Sequence, residues 1–399
     1  MYGTQQLEVR GRKMKYRKFG RLDWKASALG FGCMRLPTKG ESSDIDEAEA
    51  TRMLRYAIDH GLNYVDTGYG YHGGNSERFL GRALKDGYRE KIRLATKLPA
   101  WAVQTAEDFD RLLNEQLEKL QTKRIDFYLL HGLSGERWPK LRDLGIRQWL
   151  DSAMASGRIG HAGFSFHDKY EVFKGIIDDY DHWTLCQIQY NYMDIENQAG
   201  TKGLQYAASK GLAVVVMEPI RGGRLVNPPQ QIEELWDSAP VKRTPADWAL
   251  QWVWNQPEAS VALSGMSTME QVVENLASAD RSGVGTRTES ELALIAQVRI
   301  RYKDLCPIPC TSCRYCMPCP NGVDIPRNFN IFDEGAMYNR LEGARRGYAR
   351  VEEAARASAC IACRECEEKC PQHILISEWM PDVHAVLGEG KPYEACARH

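Results

Sequence analysis

The sequence predicts an α/β fold in which a (β/α)8 TIM barrel is followed by a small, mainly α-helical domain. Two observations support this prediction. Short apolar runs alternate with amphipathic stretches from about residue 15 to about residue 300, a pattern typical of repeated β/α units. The composition then changes, because ten of the twelve cysteines lie between Cys306 and Cys396. We therefore expect one large domain and one small, cysteine-rich domain.

The predicted barrel contains eight strands and eight helices. The strands span 28–34, 62–65, 92–97, 125–131, 159–165, 185–188, 213–217 and 260–263. The helices span 46–60, 76–85, 146–156, 168–178, 203–209, 244–255 and 268–278, and one more begins at Thr105 with Asp108 as its capping partner. Eight such units in roughly 250 residues suit a closed barrel. A doubly wound open sheet fits the alternation nearly as well, but no Gly-x-Gly-x-x-Gly follows the first strand.

The change in composition predicts the domain boundaries. Residues 1–13 form an N-terminal extension, 14–300 the barrel, 301–380 the cysteine-rich domain and 381–399 a C-terminal tail. A polar helical stretch is expected between the two cysteine groups, over about 328–359.

Charge and hydropathy exclude two classes of partner. The 52 Lys and Arg residues balance 53 Asp and Glu residues, and this near-neutral balance predicts no nucleic-acid partner. No run of about eighteen apolar residues is present, so we expect no membrane-spanning helix. The first residues lack the apolar core of a signal peptide, which predicts a cytoplasmic protein. The oligomeric state cannot be predicted.

Four residues form a candidate catalytic group. Asp66, Lys97 and His131 each fall at the carboxyl end of a predicted strand, where barrels place their chemistry, and Tyr71 follows on a glycine-rich loop. A nearby ammonium lowers the pKa of a phenol from its ordinary value of about 10. Lys97 would supply that charge, Asp66 would hold Lys97, and His131 would orient a carbonyl oxygen. Singly, each could be a rim or core residue, but together they favour catalysis.

These stretches resemble the aldo-keto reductase family. Asp66-Thr-Gly-Tyr-Gly-Tyr71 with Ser76-Glu77 is similar to the family's active-site signature, and the Lys97 and His131 strands are similar to its next two motifs. The resemblance implies that Tyr71 is the general acid, Lys97 the partner that lowers its pKa, Asp66 the partner of Lys97, and His131 the substrate-orienting group. It implies NAD(P)H-linked reduction of a small carbonyl compound, or oxidation of an alcohol, with the nicotinamide cofactor bound across the barrel mouth.

The same resemblance implies a set of cofactor contacts. Ser165 and Gln187 would bind the carboxamide, although Phe166 stands where the family has Asn, and His167 is expected only to cap the next helix. The stacking position is Met217, and the pyrophosphate residues are Gly222, Gly223 and Arg224, with Arg221 as an alternative to Arg224. Glu274 and Asn275 match the adenine side. Members that prefer NADP carry cations where this chain has Gly265 and Gln271, so the sequence favours NADH.

The cysteines predict two [4Fe-4S] clusters. Cys360, Cys363, Cys366 and Cys370-Pro match the bacterial ferredoxin run, whose last cysteine binds the other cluster. We therefore pair Cys310, Cys313 and Cys316 with Cys370, and Cys360, Cys363 and Cys366 with Cys319. Two zinc sites are the less favoured alternative. Cys306 and Cys396 are left over, and Cys306 could replace Cys310. The helical spacer resembles that of α-helical dicluster ferredoxins.

Three functions remain open at this point. The first is a reductase whose clusters relay electrons to a partner, which could be a ferredoxin or a flavoprotein. The second is a reductase whose clusters are structural or sense oxygen, and the third is a non-catalytic redox-sensing barrel. Hydride moves two electrons and a [4Fe-4S] cluster one, so a flavin could link them, although no sequence motif indicates one. Tyr69, His72 and Trp101 are expected to line the mouth.

Overall fold

A computed structural model of the chain describes residues 14–393. The predicted extension at 1–13 and Cys396 lie outside these residues. The chain divides into two compact units, one ending at 222 and resuming at 246–288, the other made of 223–245 and the residues from 289 onward. We describe each unit by itself.

Ten strands are present in the first unit. They are β1 (Tyr16–Lys18), β2 (Lys25–Ser27), β3 (Leu29–Gly32), β4 (Tyr64–Asp66), β5 (Arg93–Leu98), β6 (Ile125–Leu133), β7 (Ile159–Phe166), β8 (Trp183–Gln189), β9 (Ala213–Met217) and β10 (Ala259–Gly265). The last eight pair in parallel, and β10 pairs with β3 to close the barrel. The predicted (β/α)8 barrel is thereby confirmed, and the open sheet is excluded.

Fifteen α-helices occur in the described part of the chain. They are α1 (Glu47–Asp59), α2 (Asn75–Ala83), α3 (Glu107–Lys119), α4 (Arg137–Asp143), α5 (Ile146–Ala155), α6 (Tyr170–Asp178), α7 (Gly200–Ser209), α8 (Gln230–Asp237), α9 (Pro245–Trp254), α10 (Met269–Ala279), α11 (Glu289–Asp304), α12 (Ile325–Met337), α13 (Leu341–Ala349), α14 (Glu365–Glu368) and α15 (Ile376–Leu387). Among residues 14–393, none is long and apolar enough to cross a membrane.

The β1–β2 hairpin closes the end of the barrel at which the strands begin. The sequence did not predict this hairpin. Phe19, at its turn, is fully buried and packs against Phe127 with ring centroids 4.8 Å apart. Tyr64, Leu185 and Val261 belong to the same interior cluster. Because aromatic side chains fill this end, the open end is the one where the strands finish, and that is where Asp66, Lys97 and His131 lie.

The second unit has its own apolar core. Phe329 and Phe332 of α12, Tyr348 of α13 and Met380 of α15 pack together in it. The predicted helical stretch at 328–359 is therefore two α-helices, and Pro381, placed in a tail by the sequence, lies inside α15. The unit also includes α8, which packs on α11, although the sequence assigned 223–245 to the barrel domain.

Candidate active site

Lys97 is the centre of a buried polar group at the open end of the barrel. Its ammonium donates to Asp66 Oδ1 at 2.6 Å, to the Thr67 carbonyl at 2.6 Å and to the Tyr71 hydroxyl at 3.2 Å. Asp66 and Lys97 are each only 1% exposed. Parallel pairing sets Asp66 of β4 beside Ala95 of β5, two residues before Lys97. Adjacent strand ends thus bring together residues that are far apart in sequence.

The Tyr71 ring reaches Lys97 by lying against Gly68. A side-chain carbon at position 68 would meet the ring at 3.0 Å, so the loop needs glycine there. Burial raises the pKa of Tyr71, and the charge of Lys97 only partly opposes this effect. The sequence indicated only the effect of the lysine, which by itself would lower the pKa of Tyr71. The result is a phenol that keeps its proton at neutral pH and hydrogen-bonds to an ammonium.

The buried lysine keeps its charge. Burial acts to lower the pKa of Lys97, but Asp66 and Tyr71 together raise it above its ordinary value. On the opposite side of the carboxylate, Gln187 Nε2 donates to Asp66 Oδ2 at 3.0 Å. Breaking one member of a buried ion pair typically costs about 3–5 kcal/mol, so this pair fixes the geometry around Tyr71.

His131 is directed toward Tyr71 by an irregularity in β6. The register of β6 on β7 shifts between Leu130 and Leu133, and Gly132 has φ +64°. Such a bulge turns a side chain to a new direction. The rings of His131 and Tyr71 meet edge-on with centroids 6.0 Å apart. Burial, followed by the charges of Lys97, His167 and Arg137, lowers the pKa of His131 to about 3, so its imidazole is neutral.

A second buried network lies behind Lys97 and was not predicted. Gln116 of α3 donates to the Lys97 carbonyl at 3.0 Å and to Glu77 Oε1 at 2.5 Å, and Thr96 donates to the same carboxylate oxygen at 2.6 Å. The Tyr128 hydroxyl donates to Gln116 Oε1 at 2.7 Å. The sequence does carry a signal for Gln116, because it lies three and four residues after the buried Leu113 and Leu112 of α3.

Three side chains were expected to line the mouth, and the exposed Trp101 is the one whose position agrees clearly with this expectation. Trp101 is 48% exposed, and its ring lies 4.9 Å from that of His131. Tyr69 is half-buried and donates to Glu115. His72 is buried, its Nδ1 donating to the Ser42 carbonyl at 2.5 Å and its Nε2 accepting from the Leu36 amide at 3.2 Å. His72 therefore holds a loop in place through both of its ring nitrogens, and its expected position on the mouth stays a prediction.

The predicted carboxamide ligands lie beside the catalytic group. Ser165 Oγ accepts from the Gly132 amide at 2.8 Å, next to His131, and Gln187 contacts Asp66 as described. Met217 ends β9 and is half-buried. His167 does not cap α6, whose N-cap is Lys169 without a side-chain hydrogen bond. Its Nδ1 lies 3.2 Å from Gln198 Oε1 instead.

The residues predicted to bind the pyrophosphate include two glycines in a suitable conformation and two arginines that already form ion pairs. Gly222 and Gly223 have φ of +61° and +88°, conformations that favour glycine. Arg224 forms an ion pair with Glu334 of α12 at 2.8 Å, within the second unit. Its alternative, Arg221, pairs with Asp194 at 3.0 Å. Both guanidinium groups therefore already have carboxylate partners that the sequence could not indicate.

The predicted adenosine segment is formed by the end of β10 and the start of α10. Thr268 caps α10 by accepting from the Gln271 amide, and Gln271 Oε1 accepts from the Ser267 amide at 2.8 Å. Asn275 donates to Ser264 Oγ at 3.1 Å, and Glu274 is exposed. A side-chain carbon at Gly265 would lie 2.9 Å from the side chain of Arg35. The sequence gave no signal for this contact, because Arg35 lies 230 positions before Gly265.

Cys310, Cys313, Cys316 and Cys370 line one cavity in the second unit, with Phe329 and Ile376 as apolar walls. The first predicted group therefore takes Cys370 from the second cysteine run. In the second predicted group, the charges of Cys360 and Cys319 act on the Cys366 thiol. Cys363 Sγ lies 4.0 Å from Asn321 Nδ2, and its membership of this group stays a prediction. Among residues 14–393, no three His, Cys, Asp or Glu side chains are arranged to hold a single metal ion.

Cys306 has a different environment. Its thiol donates to the Ile308 carbonyl at 3.3 Å and contacts Asp333, and it does not line the cavity. Burial, with Asp333 adding to it, raises the pKa of the Cys306 thiol to about 12. The geometry therefore favours Cys310 over Cys306 as a cluster ligand.

Comparisons with known proteins agree with both units. The model of the aldo/keto reductase family matches residues 28–284, and that of a 4Fe-4S dicluster domain matches residues 309–375. L-galactose dehydrogenase of Arabidopsis thaliana is 26% identical over 314 residues, covering 71% of this chain and 95% of that protein. 6-Dehydroglucose reductase of Novosphingobium aromaticivorans is 25% identical over 280 residues, covering 65% and 88%.

Two solved structures are similar in fold to the barrel. The holo form of aldo-keto reductase AKR11C1 from Bacillus halodurans is 26% identical with a TM-score of 0.61, covering 71% of this chain and 96% of that one. An aldo/keto reductase from Klebsiella pneumoniae in complex with NADP and acetate is 25% identical with a TM-score of 0.59, covering 72% and 95%.

Proposed function

This chain belongs to the aldo/keto reductase family, and from that premise we propose that it transfers hydride between NAD(P)H and a small carbonyl compound, with Tyr71 as the general acid. The observation that carries the proposal is the contact of Lys97 with both Asp66 and Tyr71 in a buried setting. Of the three functions left open by the sequence, the non-catalytic barrel is the least compatible with this arrangement, since a purely structural barrel has no need of a buried charge beside a phenol.

Each residue of the tetrad has a separate task in the proposed reaction. The protonated Tyr71 donates its proton to the carbonyl oxygen as the carbonyl carbon is reduced. Lys97 stabilises the phenolate that remains, and Asp66 keeps Lys97 charged and in place. The neutral imidazole of His131 positions the same oxygen. The nicotinamide supplies the hydride, and Ser165 and Gln187 would hold its carboxamide beside the tetrad.

Removal of the Tyr71 hydroxyl tests this proposal. Tyr71→Phe should lower kcat for carbonyl reduction by about 10²–10⁴-fold with KM changed only a few-fold, because the proton donor is lost while the pocket is kept. The measurement is NADPH and NADH oxidation against a panel of carbonyl compounds. Tyr69→Phe, on the same loop, is the matched control and should leave kcat within about two-fold. A Tyr71→Phe variant with wild-type kcat would remove the assigned mechanism.

The choice between NADH and NADPH depends on Arg35. The sequence favoured NADH because Gly265 and Gln271 carry no charge. The Arg35 side chain packs against Gly265, is exposed, and makes no ion pair in the described part of the chain. Its backbone carbonyl accepts from Ser267 Oγ at 2.7 Å, which fixes the two loops together. We infer that Arg35 supplies the counter-charge for a 2′-phosphate, so that NADPH binds at least as well as NADH.

Two fragments of the cofactor, with and without the 2′-phosphate, measure the contribution of Arg35 to binding of that phosphate. In calorimetric titrations the wild-type protein should bind 2′,5′-ADP more tightly than 5′-AMP, since only the former carries the 2′-phosphate. Arg35→Ala should lower the affinity for 2′,5′-ADP by about 10–100-fold and change the affinity for 5′-AMP by less than about two-fold. Arg52→Ala, an exposed arginine of α1 that pairs with Glu49, serves as the control. Equal wild-type affinity for the two fragments would support the NADH preference instead.

We propose that the second unit holds two [4Fe-4S] clusters that exchange single electrons with an external carrier. Cys310, Cys313, Cys316 and Cys370 line one cavity, and four cysteine thiolates are the ligand set of a [4Fe-4S] cluster. Tyr315 and Ile361, inside the two cysteine runs, are 67% and 68% exposed. This exposure beside both groups supports electron exchange at the surface over a purely structural role.

Metal analysis of cysteine variants tests the cluster assignment. Protein prepared without oxygen should contain roughly eight iron atoms and absorb near 400 nm, with bleaching by dithionite, as expected for two four-iron clusters. Cys310→Ser should lose at least half of the iron, and Cys306→Ser should keep all of it. Zinc in place of iron would establish the alternative metal site. Iron lost from Cys306→Ser but retained in Cys310→Ser would reverse the assignment of these two cysteines.

A further inference from the structure

Arg137 lies against the backbone next to His131. Its Nη1 donates to the Gly132 carbonyl at 2.8 Å. Gly132 has φ +64°, which favours glycine, and a side-chain carbon there would lie 2.9 Å from the same nitrogen. Because Gly132 directly follows His131, the guanidinium is held beside the residue proposed to position the carbonyl oxygen.

The positive charge of Arg137 is not neutralised within the described part of the chain. Arg142, on the same helix, pairs with Asp143 and Asp179, whereas Arg137 makes no ion pair among residues 14–393. The nearby carboxylate of Asp168 accepts from the backbone amides of Gly135 and Lys169. An arginine has five N–H donors, and the hydrogen bond to Gly132 uses only one of them.

The carboxylate of Asp66 in this site is already paired with Lys97. The charged groups that lower the pKa of His131 are Lys97, His167 and Arg137, and none of the three is an anion. The exposed ring of Trp101 forms an apolar wall 4.9 Å from the His131 ring. A cationic side chain and an indole are therefore both held close to His131, the guanidinium against the adjoining Gly132 and the indole against the imidazole ring.

We propose that Arg137 binds the carboxylate of the substrate, and that the substrates are small oxo acids with an apolar or aromatic side chain. This inference rests on the proposed hydride transfer. The carbonyl carbon accepts a hydride from NAD(P)H, and the carbonyl oxygen accepts a proton from Tyr71, which regains one from solvent. The oxo acid becomes a hydroxy acid and NAD(P)H becomes NAD(P)⁺. A planar guanidinium binds a carboxylate through two parallel hydrogen bonds, which also fixes the direction of the carbonyl.

Phenylglyoxylate and its methyl ester form a matched pair of probes, because the ester keeps the same phenyl ketone and replaces the carboxylate charge with a neutral methyl ester. Wild-type protein should reduce the acid with a kcat/KM about 10-fold or more above that of the ester. Arg137→Gln should lower kcat/KM for the acid by about 20–100-fold and leave the ester within about three-fold. Arg137→Lys should retain an intermediate preference for the acid. Arg142→Gln, on the same helix, should leave both values unchanged.

Calorimetric binding of the two probes to protein saturated with NADP⁺ separates this inference from the proposed reaction. The acid should bind more tightly than the ester, and Arg137→Gln should abolish the difference. If the ester is reduced as well as the acid, or if Arg137→Gln weakens both equally, the carboxylate site is wrong while hydride transfer stands. If neither probe is reduced but Arg137→Gln still abolishes tighter binding of the acid, the site stands and the proposed reaction is wrong.

Discussion

The structure of the candidate active site depends on one buried charge, the ammonium of Lys97. An ammonium in a barrel interior is costly unless it is paired, and here it is surrounded by Asp66, the Thr67 carbonyl and the Tyr71 hydroxyl. Gln187 holds Asp66 from the other side, and Gln116 holds the Lys97 backbone. The loop that carries Tyr71 is fixed in turn by contact with Gly68. The same arrangement that makes the charge tolerable thus places a protonated phenol where a carbonyl oxygen can meet it.

Much of this site could be predicted because its catalytic residues lie at strand ends that can be located in the sequence. Strands of a parallel barrel finish at one end, so residues at the ends of successive strands meet whatever their separation in sequence. Asp66, Lys97 and His131 follow this rule. The spacing of the cysteines predicted in addition that Cys310, Cys313, Cys316 and Cys370 would meet, and these four line one cavity. The bulge at Gly132 and the glycine at position 68 refine these positions without changing which residues come together.

The residues that sequence reasoning missed or misplaced are those whose roles depend on contacts between distant loops. His72 looked like a rim residue but bonds to the backbone at Leu36 and Ser42. Arg224 looked available for a phosphate but pairs with Glu334. Arg35 had no apparent role until its contact with Gly265 was seen, and burial of Tyr71 outweighed the lysine effect that the sequence suggested. No periodicity or spacing records such contacts, because each joins segments that fold against one another only in the finished structure.

We conclude that the Lys97–Asp66 pair organises the site, and a double-mutant cycle on stability measures the coupling between these two residues. The free energy of unfolding would be measured for Lys97→Met, Asp66→Asn and the double variant, with unfolding followed by tryptophan fluorescence. Each single variant leaves one group buried without its partner, so each should lose about 3 kcal/mol or more. The double variant should lose less than the sum of the two by at least about 2 kcal/mol. Losses that simply add, within about 0.5 kcal/mol, would contradict the claim.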